Sequence, residues 1–65
     1  MAQNKMILEL LEKRSLSPLE ALYEVGTMKL ATRISELRAD GNKIKDRWVD
    51  DPLTRKRYKR YWMEK

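Results

Sequence analysis

Gly41 divides this chain into two kinds of sequence. Before it, apolar residues recur at helical spacing; from Asn42 onward the period shortens, and aromatic and β-branched residues set the pattern. A chain broken in this way folds as helices followed by strands. With 65 residues it is expected to form one domain, spanning 1–65. A chain this short buries only about 60% of the surface it would expose unfolded, so its core is small. It has no cysteine and no histidine, which removes disulfides and the usual soft-metal ligands. Stability therefore rests on packed aliphatic and aromatic side chains.

Three helices are expected ahead of the break, at about 4–14, 18–25 and 28–40. Met6, Ile7, Leu10 and Leu11 supply the apolar stripe of the first. Leu8 lies off that stripe, as an isolated exposed leucine or as part of a dimer or hairpin contact. Leu16 suits a strand of one or two residues. Ser17-Pro18-Leu19-Glu20 announces the second helix: Ser17 as N-cap, Pro18 at the first position, and Glu20 at the third, where it reaches back to the cap. Leu19 and Leu22, with Ala21 and Val25, are expected to supply its inner face. Gly26 makes the turn, and Thr27 is expected to cap a third helix whose Leu30, Ile34 and Leu37 face the core. Gly41 then ends that helix at the favoured C′ position.

Beyond it, Ile44 to Val49 and Arg55 to Met63 read as two strands joined by the turn Asp50-Asp51-Pro52-Leu53-Thr54, making a hairpin at about 44–63. If Ile44 faces inward, Asp46 and Trp48 share its face. Either the hairpin projects beyond the core at Asp46 or a bulge turns that residue out. Tyr61 and Met63 inward would leave Tyr58, Arg60 and Trp62 outward. Trp48 and Trp62 are expected to be structural, packing across the strands with Tyr58 or Tyr61.

A short helix, a glycine turn and a second helix form a helix-turn-helix. With the hairpin the fold class is α+β, mostly α: a winged helix-turn-helix of three helices and a two-stranded β-hairpin wing. Ser17-Pro18-Leu19-Glu20-Ala21-Leu22, Gly26, Lys29-Leu30-Ala31-Thr32-Arg33-Ile34-Ser35-Glu36-Leu37-Arg38, Gly41 and Ile44 together resemble the small winged helix-turn-helix domains common in bacteriophages and prophages. In those domains a "PLEAL" helix precedes a "LAARI-x-DLR-x-x-G-x-x-I" helix, and a tyrosine-rich strand, similar to Tyr58-Lys59-Arg60-Tyr61 here, ends the chain. The resemblance covers about residues 6–63. Thr32 departs from it, standing where alanine is common, and the wing is more basic. It implies a phage or prophage origin and work in the bacterial cytoplasm.

Charge points to the partner. The net charge is +5. Residues 1–40 hold six Lys/Arg and six Asp/Glu, whereas residues 41–65 hold nine and four, so the basic excess lies wholly in the second part. Arg55-Lys56-Arg57-Tyr58-Lys59-Arg60 has five cations in six positions, with Lys45 and Arg47 on the facing strand. Cations interleaved with aromatic residues suit contact with phosphates. In a helix-turn-helix the second helix enters the major groove, which makes Lys29, Thr32, Ser35 and Arg33 the expected base contacts. Thr27 and the free N–H groups beside it suit a phosphate. A competing reading pairs Arg33 with Glu20 or Glu24.

No catalytic residue, metal ligand set or cofactor site is expected: the two glycines are explained as turns, and no His or Cys can act as base or nucleophile. No stretch is apolar enough for a membrane span, and the N-terminus lacks a signal-peptide layout, so a cytoplasmic location is expected. The leading function is double-stranded DNA binding, as a transcriptional regulator or recombination accessory factor. Specificity from so small a domain calls for a homodimer or a cooperative array. The alternative is an interaction module that binds and modulates a host protein through the basic wing.

Overall fold

A computed structural model describes residues 2–64; Met1 and Lys65, which the expected span 1–65 includes, lie outside the described residues. The order is α1 (Ala2–Lys13), α2 (Pro18–Glu24), α3 (Leu30–Ala39), β1 (Ile44–Asp50) and β2 (Arg57–Met63). The strands pair antiparallel in unbroken register from Ile44 opposite Met63 to Asp50 opposite Arg57. Leu16 adds an isolated bridge on the other side of β2, its N–H and C=O bonding Tyr61 at 2.8 and 2.9 Å.

The start of α2 is held twice. Ser17 Oγ accepts from the Glu20 N–H at 3.2 Å, and Glu20 Oε1 accepts from the Ser17 N–H at 3.0 Å. This capping box contributes about 1 kcal/mol. The same Glu20 oxygen accepts from Arg60 Nη1 at 3.0 Å, and Arg60 also donates to Ser15 Oγ at 3.0 Å. The first turn of α2 is thereby tied to the middle of β2. Burial pushes the Glu20 carboxyl up, but the Ser17 N–H and the Arg60 charge outweigh it and hold the group below its ordinary value.

The core consists of Ile7 and Leu11 from α1, Leu16, Ala21 from α2, Leu30, Ile34 and Leu37 from α3, Ile44 from β1 and Tyr61 from β2. Leu8, Leu10, Val25 and Met63 pack half-buried against it. Leu8 is thus neither isolated nor fully exposed. Met6, expected in the stripe of α1, is largely exposed.

Two further expectations are corrected in the short elements. Leu19 and Leu22 do not form the inner face of α2: Leu19 is 64% exposed, and Ala21 is the buried residue. Ala21 and Val25 lie one turn apart on the inward side, whereas Leu19, Leu22 and Tyr23 cluster on the opposite side. Thr27 does not cap α3. Lys29 is the N-cap, without a side-chain bond, and α3 begins at Leu30 rather than Met28. Lys29 has a non-helical backbone, with φ −123° and ψ 53°, so the turn runs two residues longer. The Thr27 hydroxyl instead closes that turn by accepting the Lys29 N–H at 3.1 Å.

The end of α3 follows the sequence closely. Gly41 has φ +99°, and the N–H groups of Gly41 and Asn42 bond the carbonyls of Arg38 and Leu37 at 3.0 and 3.1 Å. This is the paired pattern of a Schellman motif, in which a glycine takes the left-handed position without strain.

Candidate nucleic-acid interface

The hairpin carries seven of the fifteen basic residues, and its two faces treat them differently. On one face lie Ile44, Asp46, Trp48 and Asp50, with Met63, Tyr61, Lys59 and Arg57 opposite them. The inner end of this face joins the core. Asp46 needs neither a bulge nor projection beyond the core: Arg38 Nη2 donates to its Oδ2 at 2.8 Å, and Lys59 Nζ lies 3.8 Å from its Oδ1. The bond from Arg38 leads the effects that hold the Asp46 carboxyl below its ordinary value. Arg38 also donates through Nε and Nη2 to the Ile44 carbonyl, at 3.0 and 2.7 Å. It therefore clamps the end of α3 to the root of β1.

Farther out, Trp48 is 55% exposed, and Tyr58, one of the two tyrosines the sequence offered it, lies on the other face. Its register partner is Lys59, whose ammonium lies 5.2 Å from the ring centroid, and the Arg57 guanidinium lies at the same distance. Each such cation–π contact contributes about 0.5–1 kcal/mol at an exposed site. Arg57 also pairs with Asp50 at 3.1 Å. Tyr58 points to the opposite face, because successive strand residues alternate sides.

That opposite face holds Lys45, Arg47 and Val49 with Trp62, Arg60 and Tyr58. Arg60 is drawn inward to Glu20 and Ser15, and its side chain is 27% exposed. Lys45 lies 3.4 Å from Glu64. Among the described residues, Arg47, Arg55 and Lys56 form no ion pair.

The loop between the strands is tightly bonded. Asp51 N–H donates to the Lys56 carbonyl and Arg55 N–H to the Asp51 carbonyl, both at 2.8 Å. Asp51 Oδ1 accepts the Leu53 N–H at 2.9 Å, and Thr54 Oγ1 accepts the Lys56 N–H at 3.3 Å. Arg55 closes the loop at φ +57°, a left-handed conformation that costs a non-glycine residue about 1 kcal/mol. The bonding around Asp51 was visible only as turn chemistry in the sequence.

On α3, Lys29, Thr32 and Ser35 are exposed. Arg33 meets neither Glu20 nor Glu24. Its Nη1 donates to Glu36 Oε1 at 2.9 Å, and Asn4 Nδ2 of α1 reaches the same oxygen at 3.0 Å. Glu24 lies instead 3.8 Å from Arg14. Thr27 is buried, its hydroxyl engaged within the turn. Of the residues expected on this helix to touch a nucleic acid, Lys29, Thr32 and Ser35 thus remain outward-facing, while Thr27 and Arg33 shape the protein. With Lys29 as an uncapped N-cap, the first N–H groups of α3 face no side-chain acceptor among the described residues.

A model of the winged helix-turn-helix domain matches residues 2–65. The chain belongs to that family. Comparison with curated proteins and with solved structures finds no match. The assignment gives the parts their names: α2 and α3 are the helix-turn-helix, with α3 in the place of its second, recognition helix, and β1–β2 is the wing. The winged helix-turn-helix is a DNA-binding fold. None of the described helices is long and apolar enough to cross a membrane.

Proposed function

We propose that this protein binds double-stranded DNA, with the N-terminal half of α3 in the major groove and the wing on the phosphates. The observation that carries the reading is the set of wing cations left without a carboxylate among the described residues: Arg47, Arg55 and Lys56. The other wing cations, Lys45, Arg57, Lys59 and Arg60, are paired with carboxylates, so these three are the ones left to meet an external anion. Lys29, Thr32 and Ser35 would meet base edges, where lysine reads guanine and threonine packs on a thymine methyl. Arg57 and Lys59, steadied on Trp48, lie next to the free cations and extend the basic strip. Arg33 and Arg60 support the two contact elements from inside, and Lys45 sits at the wing root beside Glu64.

The biological setting we propose is a phage or prophage regulator or recombination accessory factor, acting in the bacterial cytoplasm as a homodimer or a cooperative array. Selection of bound sequences from a random duplex library tests the reading. The protein should enrich a motif, and the combined variant Lys29→Ala, Thr32→Ala, Ser35→Ala should bind DNA without enriching it. Enrichment that survives the triple substitution would contradict base reading by α3.

One observation favours a second reading, docking on a host protein through the wing: the exposed side of α3, with Lys29, Thr32, Ser35 and Glu36, is close to neutral. In that case duplex DNA is not bound even at low salt.

A further inference from the structure

Leu53, at the far end of the wing, is 93% exposed. Nothing in the fold uses it: it lies beyond the last ladder pair, Asp50 with Arg57, and outside the core. Yet its backbone is held. Its own N–H is held by Asp51 Oδ1, Pro52 restricts the backbone before it, and the Asp51–Lys56 and Arg55–Asp51 bonds close the loop around it. Beyond Thr54 come Arg55 and Lys56, both without an ion pair among the described residues. The tip therefore presents a large apolar side chain on a hydrogen-bonded backbone, with two cations close behind it.

We propose that the wing tip inserts Leu53 as a wedge between base pairs from the minor groove and bends the duplex. This rests on the DNA-binding reading and narrows its partner to DNA that can be kinked. Apolar side chains inserted between base steps unstack them and open the minor groove, while neighbouring cations neutralise the phosphates brought together by the bend. The dimensions agree. Two strands about 4.8 Å apart, with side chains on both, are wider than a minor groove of about 6 Å. Only the loop can enter an undistorted groove, and Leu53 is the large apolar side chain it exposes. Asp51, whose Oδ1 accepts the Leu53 N–H, positions the wedge.

The test compares two end-labelled duplexes of one mixed sequence, intact and with a short central gap that removes the cost of unstacking. By fluorescence anisotropy, the wild type should prefer the gapped duplex by roughly tenfold or more, since unstacking one step costs several-fold to many-fold in affinity. Leu53→Ala should lose that preference and bind the two duplexes alike, whereas Leu53→Met should retain it. Such an exposed residue can be replaced without loss of folding. Equal affinity of the wild type for both duplexes, or a preference that survives Leu53→Ala, overturns the wedge while leaving DNA binding intact. Failure to bind either duplex overturns the DNA-binding reading itself.

Discussion

Replacing Arg55 and replacing Arg60 should have opposite consequences, although the two residues stand in one basic run. Of the wing cations, Arg47, Arg55 and Lys56 form no ion pair among the described residues. If these neutralise phosphates, about three counterions are released, and log affinity falls against log salt with a slope of about −2.7. Between about 50 and 200 mM salt the affinity then drops about 40-fold. Were Arg33, Lys45, Arg57, Lys59 and Arg60 engaged as well, the slope would approach about −7 and the drop about 10⁴-fold. Arg55→Gln should flatten the slope by about 0.9 and leave the melting temperature close to that of the wild type. Arg60→Gln should leave the slope unchanged and lower stability, since it frees Glu20 and Ser15 from β2. The pair is partly exposed, which limits that loss to about 1 kcal/mol. Anisotropy titrations at several salt concentrations, with thermal melts of each variant, read both effects. A slope steeper than about −6, or an Arg60→Gln variant that flattens it as Arg55→Gln does, would refute the division into free and internally committed cations.

Three other outcomes follow from local geometry. Ser17→Ala removes one half of the capping box and should cost about 1 kcal/mol, seen as a fall of about 4–8 °C in a circular dichroism melt. Arg55→Gly relieves the left-handed residue of the wing loop and should stabilise by about 0.5 kcal/mol while weakening DNA binding, whereas Gly41→Ala, at φ +99°, should destabilise by about 1 kcal/mol. Glu20 and Asp46 both have carboxyls held below their ordinary values in the folded protein. The stability they contribute is complete above the unfolded carboxylate range and is lost as pH falls through the lower folded values, below about pH 4. Denaturant midpoints measured from neutral to acid pH should fall there, and less steeply in Glu20→Gln and Asp46→Asn.

Much of the backbone was legible because its signals are local. The capping residues of α2 and the glycine ending α3 each act within a few positions, so their chemistry could be read from neighbours alone. The helices, hairpin and approximate boundaries follow from such signals. What escaped depends on tertiary register. In α2, apolar residues occupy more than one side of a seven-residue helix, and periodicity cannot say that small Ala21 rather than Leu19 faces α3 and β2. Arg33, Arg38 and Arg60 look equivalent to the surface cations in the sequence; only folding brings Glu36, Asp46 and Glu20 beside them. Trp48 likewise reads as an aromatic partner until the register sets Lys59, not a tyrosine, across from it. At the candidate interface the residue types were legible, but which of them remain free for a partner was not. Leu53 passed as an ordinary turn residue, because its mounting depends on bonds made across the whole loop.

The most direct test of the account is a titration of isotope-labelled protein with duplex DNA, following each backbone amide by nuclear magnetic resonance. The account predicts the largest shifts at 28–35 and 47–57, with small ones on the outer face of α1. Shifts concentrated instead on Leu19, Leu22 and Tyr23 of α2, with the wing amides unmoved, would contradict it.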